Sequence, residues 1–391
     1  MSIPGSLLQR AVLQPRVSNG FTTFCGVNGD GTRVAVGWDT GSQRGVATFV
    51  RRGTSWEEIQ DLGLTADLDG ELNAVAMDGT GKLIACGDCY NAAPAGKVCV
   101  YAFNAVDDDI TQQATLTPAG AADQYFGAAC CFNSAGTRLY VGAPGYNHDA
   151  GAVYVYERVG AVWTQTAIIT IVGSEALGSA VAVNQDETLL AIGAKEADYW
   201  WGKAFLLAKD GGGVFQLRDT LLPPGDFGGE FGSGLALAPN GQRLYVGLPR
   251  YGDSEQRQGV ILTLDYANGT WHPVASQRRL APWAWAKLGL NLALSHDGSR
   301  RVAGLQASAL VYDAYQYRVA GITKDDNDQP APRQVFLHDR ATGEQVDSVM
   351  SGADGTFALA SFTNEPHVAI CTASAGGVRF NALVLDEVIP Q

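Results

Sequence analysis

The chain has 391 residues, 48 of them Gly and only three Met, with charged residues at 17% and a formal net charge of −13. That length is ample for one large core or two domains. The charge excludes a nucleic-acid partner held by a basic field, and no run is long and apolar enough to cross a bilayer as a helix, which excludes membrane insertion by that route.

The N-terminus, MSIPGSLLQRAVLQPR, lacks a charged stretch followed by an uninterrupted apolar core, so no signal peptide is expected. Residues 6–15 (SLLQRAVLQP) read instead as a strand, similar to residues 110–118 and 215–221 further on. Short period-two apolar runs then follow one another, separated by Gly, Asn, Asp and Ser, which predicts strands joined by hairpin turns. The stretch 126–169 is the clearest: Arg138-Leu139-Tyr140-Val141 and Val153-Tyr154-Val155-Tyr156 are two of its four runs. One such unit is a four-stranded antiparallel meander that buries little alone and needs neighbours of the same kind.

The neighbours recur at a spacing of about 50 residues, in the range of propeller blades. A Gly ends the second strand of each copy, at Gly37, Gly87, Gly142, Gly193, Gly247 and Gly304. A turn precedes each second strand, as in Asp78-Gly79-Thr80-Gly81 and Asn240-Gly241, and a small apolar first strand precedes each turn. The sixth copy stops after a third strand, Ala309-Leu310-Val311-Tyr312. The N-terminal strand can complete it and close the ring, removing an open edge that would template aggregation. The fold expected for residues 1–312 is therefore an all-β six-bladed β-propeller (seven if two copies have been merged) closed by an N-terminal strand.

After a short linker, 313–316, the pattern changes. Strands are expected at 317–322, 335–339, 345–350, 356–360, 367–372 and 380–388, a compact all-β unit over 317–391 of the size of a small sandwich.

Little points to catalysis. The five His (His148, His272, His296, His338, His367) share no ligand spacing. Gly232-Ser233-Gly234 and Gly178-Ser179 open first strands, where small residues suit crowding at the axis, and are not nucleophile elbows. Asp67, Asp69, Asp107, Asp108 and Asp109 fall in loops, where a solvated charge is the usual case and a catalytic pair the alternative. Of seven Cys, Cys86 and Cys89 form a lone C-x-x-C without a second pair, and Cys25 and Cys130 take a small-residue slot in first strands. The odd count suits a reducing cytoplasm, with a Cys89–Cys99 bridge across one blade as the alternative.

The repeats resemble FG-GAP propellers, with Phe126-Gly127, Phe231-Gly232 and Gly142-Ala143-Pro144 as the marks. No repeat carries the D-x-D-x-D-G spacing of that family's calcium loops, so no metal and no cofactor are implied. Residues 317–391, with VAGITKDDNDQPAPRQVFLHDRATGE and SGADGTFALASF, resemble carboxypeptidase-regulatory-like (transthyretin-like) β-sandwiches. The closing segment Phe380–Pro390 is similar to the ends of such domains on tailed-bacteriophage structural proteins. This second resemblance implies a virion protein of the phage tail, made in the host cytoplasm, in multiple copies, with other tail proteins as partners.

In a meander the loops between second and third strands share one face with the connections to the next blade. On that face fall Trp38, Tyr90, Tyr146-Asn147-His148-Asp149, Tyr199-Trp200-Trp201, Arg250-Tyr251, Trp283 and Trp285. Aromatics mixed with Asn, Asp and Arg in irregular loops are the composition of binding surfaces, and such rings stack on sugars while amides and carboxylates take hydroxyls. Rings that merely fill gaps between blades are the competing reading, weakest for three successive aromatics, which cannot all face one core. The function expected is a non-enzymatic tail component: the sandwich docks it, and the propeller presents a binding face to host-surface glycan, a protein receptor or another tail protein. A bacterial adhesion or carbohydrate-binding module and a polysaccharide-acting propeller enzyme are the alternatives; the near absence of Asp and Glu from the first strands counts against the last.

Overall fold

A computed structural model describes residues 9–388 except 14, 16–21, 54, 65, 69, 91–95, 104–109, 119–123, 225–228, 252–258, 268, 274–278, 281–286, 299, 306–307, 314–316, 323–328, 330–333, 340–344, 351–352, 354–355, 362–366 and 372–382. Two compact units divide the chain, one formed by Arg10–Pro273 with Arg279–Tyr312 and the other made mainly of Asp313–Gln391.

The larger unit is a propeller-like arrangement of small antiparallel sheets. It opens with β1 (Gln9–Leu13). Five blades of four consecutive strands follow: β2–β5 (Thr22–Val27, Arg33–Asp39, Arg44–Arg52, Ser55–Gly63), β6–β9 (Ala74–Met77, Leu83–Asp88, Lys97–Phe103, Ile110–Leu116), β10–β13 (Ala129–Phe132, Arg138–Ala143, Ala152–Val159, Val162–Ile169), β14–β17 (Ala180–Val183, Leu189–Ala194, Lys203–Lys209, Phe215–Leu221) and β18–β21 (Leu235–Leu237, Arg243–Leu248, Val260–Ala267, Thr270–Pro273). A short β22 (Arg279–Leu280) adds to the last of these by pairing with β20. The expectation of six blades, the last completed by the N-terminal strand, is thus corrected to five. The last three propeller strands, β23 (Leu292–Leu294), β24 (Arg300–Leu305) and β25 (Ser308–Asp313), enter a composite sheet in the order β1-β25-β24-β23. The N-terminal strand accordingly lies where the unfinished sixth repeat left a gap.

The core is not central. It is divided into wedges between neighbouring sheets. One wedge joins Phe126, Phe132, Leu139 and Tyr154 of the third blade to Leu83, Val98 and Leu116 of the second. Another joins Leu13 of β1 and Val302 and Val311 of the composite sheet to Val34, Val36 and Phe49 of the first blade. Side chains of a strand alternate between two faces, and each blade has a wedge on both, so the second and third strands read as near-continuous apolar runs. A register shift between third and fourth strands recurs at Thr48/Phe49, Val100/Tyr101, Val155/Tyr156 and Leu206/Leu207. Such bulges increase local twist, which a blade needs as it fans outward.

The recurring Gly of the second strand has a direct cause. A Cβ on Gly142 would collide with the carbonyl oxygen of Gly178, which opens the next blade. Gly178 itself has φ +101°, and its N–H donates to the Gly193 carbonyl at 2.9 Å. The same contact joins Gly87 to Gly127, Gly193 to Gly232 and Gly247 to Gly289.

In the first four blades the turn between first and second strands is held by one side chain each. Asn28, Asp78, Asn133 and Asn184 each accept, through Oδ1, the N–H of the residue five positions on (Arg33, Leu83, Arg138, Leu189) at 2.8, 2.8, 3.0 and 2.8 Å. Ser295 Oγ does the same for Arg300 at 2.9 Å. In the fifth blade Ala238 takes this place with backbone bonds alone: its N–H donates to the Arg243 carbonyl, and its carbonyl accepts the Gly241 N–H.

In the smaller unit β26 (Tyr317–Ile322) pairs with β29 (Thr356–Ser361). A four-stranded sheet runs β28 (Gln345–Met350), β27 (Gln334–Asp339), β30 (His367–Cys371), β31 (Leu383–Val388). The strands fall close to where the sequence puts them.

Gly142→Ala should destabilise the propeller by roughly 3 kcal/mol, because its obstruction is backbone rather than a movable side chain. Gly160→Ala, at an open turn with φ +62° and nothing nearby, should cost about 1 kcal/mol. Urea unfolding of the two variants checks the difference; equal costs would refute the contact.

Candidate functional face and channel

Each first strand is the end strand of its sheet, so its outer edge has no strand partner. The strands β2, β6, β10, β14, β18 and β23 together wall a cavity of about 300 Å³. Its sides are small and apolar, with Ala74, Ala76, Ala129, Val181 and Leu235 among them, and its mouth is polar. At the far end the turns bond to each other: Gly29 N–H donates to Gly79 O, and Asp297 N–H to Gly29 O, both at 2.8 Å.

Asn73, Ser179, Lys195, Glu196, Asp149 and Asn291 line the cavity with Tyr90 and Tyr125. Asn73 Oδ1 accepts the Cys89 N–H at 3.0 Å, and Asn291 Oδ1 accepts the Cys25 N–H at 2.9 Å. The rings of Tyr90 and Tyr125 meet edge-on, with centroids 5.5 Å apart. Tyr90 is 59% exposed. Burial of its inner part raises the hydroxyl pKa, helped by Cys89, Tyr125, Glu71 and Glu196 nearby. Carboxylates therefore do gather at the mouth, but loops supply them and first strands do not.

Two loops of this face are left-handed single turns. Asn147, His148 and Asp149 have φ of 50°, 57° and 63°; Asp198, Tyr199 and Trp200 have 51°, 57° and 70°. Each such residue costs about 1–2 kcal/mol, so three in a row persist only where the surroundings dictate them. The next blade does this. Asp149 O accepts the Ala176 N–H at 2.6 Å, and Trp200 O accepts the Glu230 N–H at 3.0 Å. Gly151 and Gly202, closing the two turns, form parallel bridges to Leu177 and Phe231.

The second turn projects its rings outward: Tyr199 is 96% exposed, Trp200 46% and Trp201 45%. The Arg250 guanidinium lies 5.1 Å over the Trp200 ring while its Nε reaches Glu230 Oε1 at 2.8 Å. Glu230 is buried, so Arg250 is fixed from below. Asn147, His148 and Asp149 are also exposed.

Other sequence-chosen residues have different surroundings. Trp38 is a correction: only 7% exposed, it packs in the wedge beside the first blade, and its ring N–H donates to Asp61 Oδ1 at 2.9 Å. Tyr146 is half-buried with its ring edge-on to Tyr154, and Tyr251 is half-buried against the wedge between the fourth and fifth blades. Trp283 and Trp285 lie outside the described residues. Asp67 accepts the Tyr101 hydroxyl at 2.8 Å, a structural role.

Cys25, Cys86, Cys89, Cys99, Cys130 and Cys131 are free thiols, so no Cys89–Cys99 bridge forms. Burial pushes the Cys89 thiol up to about 12, with Lys195 opposing, and Cys131 to about 11. Cys25, Cys86, Cys99 and Cys130 are raised by burial too.

Sequence reasoning missed Asn73, Lys195, Glu196 and Asn291. A signal for Lys195 was present: the residue two after the second-strand Gly, namely Cys89, Pro144 and Lys195, lines the mouth in three successive blades.

No family model matches the chain, and no curated protein does. Among solved structures it is similar to a candidate 6-phosphogluconolactonase from Bacteroides uniformis, at 12% identity and a TM-score of 0.51, over 86% of this chain and 88% of that one. It is also similar to Kuenenia stuttgartiensis hydrazine synthase, at 11% identity and a TM-score of 0.49, over 79% of this chain and 99% of that one. The first likeness shows the propeller fold and nothing of activity.

Trp38→Phe should cost about 1 kcal/mol by losing one hydrogen bond; urea denaturation checks it, and an unchanged midpoint would contradict the bond to Asp61. With raised pKa values the thiols stay protonated at pH 8, so a thiol reagent should label at most one of the seven Cys before denaturant is added. Fast native labelling of several would contradict the burial.

Proposed function

We propose that this chain is a non-enzymatic binding component of a bacteriophage tail, whose propeller presents the left-handed loops and channel mouth to a host-surface glycan. The observation that carries the reading is the Tyr199-Trp200-Trp201 turn: three exposed rings, two of them on left-handed backbone, with Arg250 stacked on Trp200. Strain spent on keeping apolar rings in water is expected where those rings meet a partner. In the same reading the composite sheet, with the N-terminal strand in it, closes the ring of five blades. The C-terminal strands form a transthyretin-like sandwich that docks the protein on other tail proteins, in multiple copies per particle.

A second reading, a polysaccharide-cleaving propeller, is favoured by one feature, the carboxylates Glu71, Asp149 and Glu196 around the mouth. The two readings differ in turnover. The purified chain and a Trp200→Ala/Trp201→Ala variant should be compared for retention on bacterial surface polysaccharides and for release of new reducing ends. Retention without release, weakened about tenfold or more in the variant, is expected. Reducing ends appearing with time would replace the binding reading by the enzymatic one, and unchanged retention by a folded variant would remove these loops from the site. Mass spectrometry of purified particles tests the tail assignment.

A further inference from the structure

We infer that the channel mouth takes the uncharged terminal sugar ring of a glycan end-on, with Tyr90 and Tyr125 as the stacking corner. The inference rests on the glycan-binding reading above and names the part of the ligand that is recognised.

Three observations lead to it. First, the cavity is walled on every side by first strands, and at its far end the turns of Gly29, Gly79 and Asp297 are joined by backbone bonds. A polymer cannot run through such a space sideways; only a chain end can enter. Its volume of about 300 Å³ stands at the small end of ligand pockets, which run from roughly 300 to 1,000 Å³.

Second, the chemistry of the wall suits hydroxyls. The first strands have no strand partner on their outer edges, so backbone N–H and C=O groups there need partners from outside the sheet. The Cys25 N–H is already taken by the Asn291 side chain. A hydroxyl both donates and accepts, so a polyol can match a mixed row of such groups, whereas a purely anionic or purely apolar ligand cannot. Among the described residues the first strands contribute no charged side chain, and the chain carries a net charge of −13, which disfavours an acidic sugar.

Third, the mouth has the parts that orient a ring. Tyr90 and Tyr125 meet at 63°, with Tyr125 40% exposed, which leaves a stacking face open beside the entrance. Asn73, Asp149, Lys195 and Glu196 stand around them, an amide and charges of both signs for the ring substituents. Tyr125 is held at φ +49°, so the corner is fixed before a ligand arrives.

The test is saturation-transfer NMR on the full chain with methyl glucoside, galactoside, mannoside and N-acetylglucosaminide, and methyl glucuronide as the charged control. At least one neutral pyranoside should receive saturation, and the glucuronide none. Tyr90→Ala and Tyr125→Ala should each weaken that binding about tenfold or more; both sites are exposed enough for folding to survive, which circular dichroism verifies. Affinity for oligosaccharides ending in the recognised sugar should level off after one or two rings. The proposal is overturned if no neutral pyranoside binds, if both Tyr variants bind as before, or if affinity keeps rising with chain length. Retention on polysaccharide that is lost in the Trp200→Ala/Trp201→Ala variant but untouched by the Tyr substitutions would leave the binding face standing and sink end-on capture alone.

Discussion

The contact on which the propeller depends is backbone against backbone. Where Gly142 of one blade meets the Gly178 carbonyl of the next, no side-chain atom fits between them. The contact recurs in four consecutive junctions and sets how closely the inner parts of the blades approach. Hydrophobic burial supplies the main drive, through wedges of Leu, Val, Phe and Tyr between sheets. Apolar side chains, however, tolerate many spacings, and a glycine pair with a hydrogen bond on the same residue tolerates few. The dispersed wedges give affinity between blades, and the glycines give the distance.

That fixed distance makes the surface loops expensive in a controlled way. The turns at 146–149 and 197–200 adopt three consecutive left-handed residues, a conformation no isolated peptide of Asn, His, Asp, Tyr and Trp would keep. Both survive because the chain leading into the following blade donates backbone N–H groups to the carbonyls at their ends. The junction that spaces the blades thus also imposes the loop conformation. Only the third and fourth blades have these turns among the described residues, so the pseudo-symmetric ring carries its strain on one side.

Much of this was legible in the sequence, for reasons that differ by feature. Strand type and repeat came from period-two patterning and from the Gly at the end of each second strand, both direct imprints of packing. The fate of the N-terminal strand was readable from an arithmetic mismatch, a last repeat one strand short. The loss of Trp38 from the face was not readable: an aromatic just after a second strand can turn outward, as Tyr90 does, or inward, and what turns Trp38 inward is Asp61, far along the chain and brought opposite by the fourth strand. The turn-holding Asn28, Asp78, Asn133 and Asn184 were visible as residues but hidden as a series, because Ser295 and Ala238 break the chemical likeness at the same structural position. Lys195 carried a signal in its place two residues after a second-strand Gly, but Glu196 was hidden, because its importance lies in facing Tyr90 across the channel mouth, a relation between blades that no local pattern encodes.

The position of the mouth residues explains how one repeat can hold its shape while its chemistry changes. The second-strand Gly is locked by the neighbouring carbonyl. Two residues later the chain has cleared that contact and reaches the rim, where Cys89, Pro144 and Lys195 differ in size, polarity and charge. A substitution at the rim alters what the channel presents and leaves the blade junction as it was. A substitution at the glycine would move whole sheets. In these three blades the structural constraint and the chemistry of the rim are therefore two residues apart, so the rim can vary there without redesign of the frame.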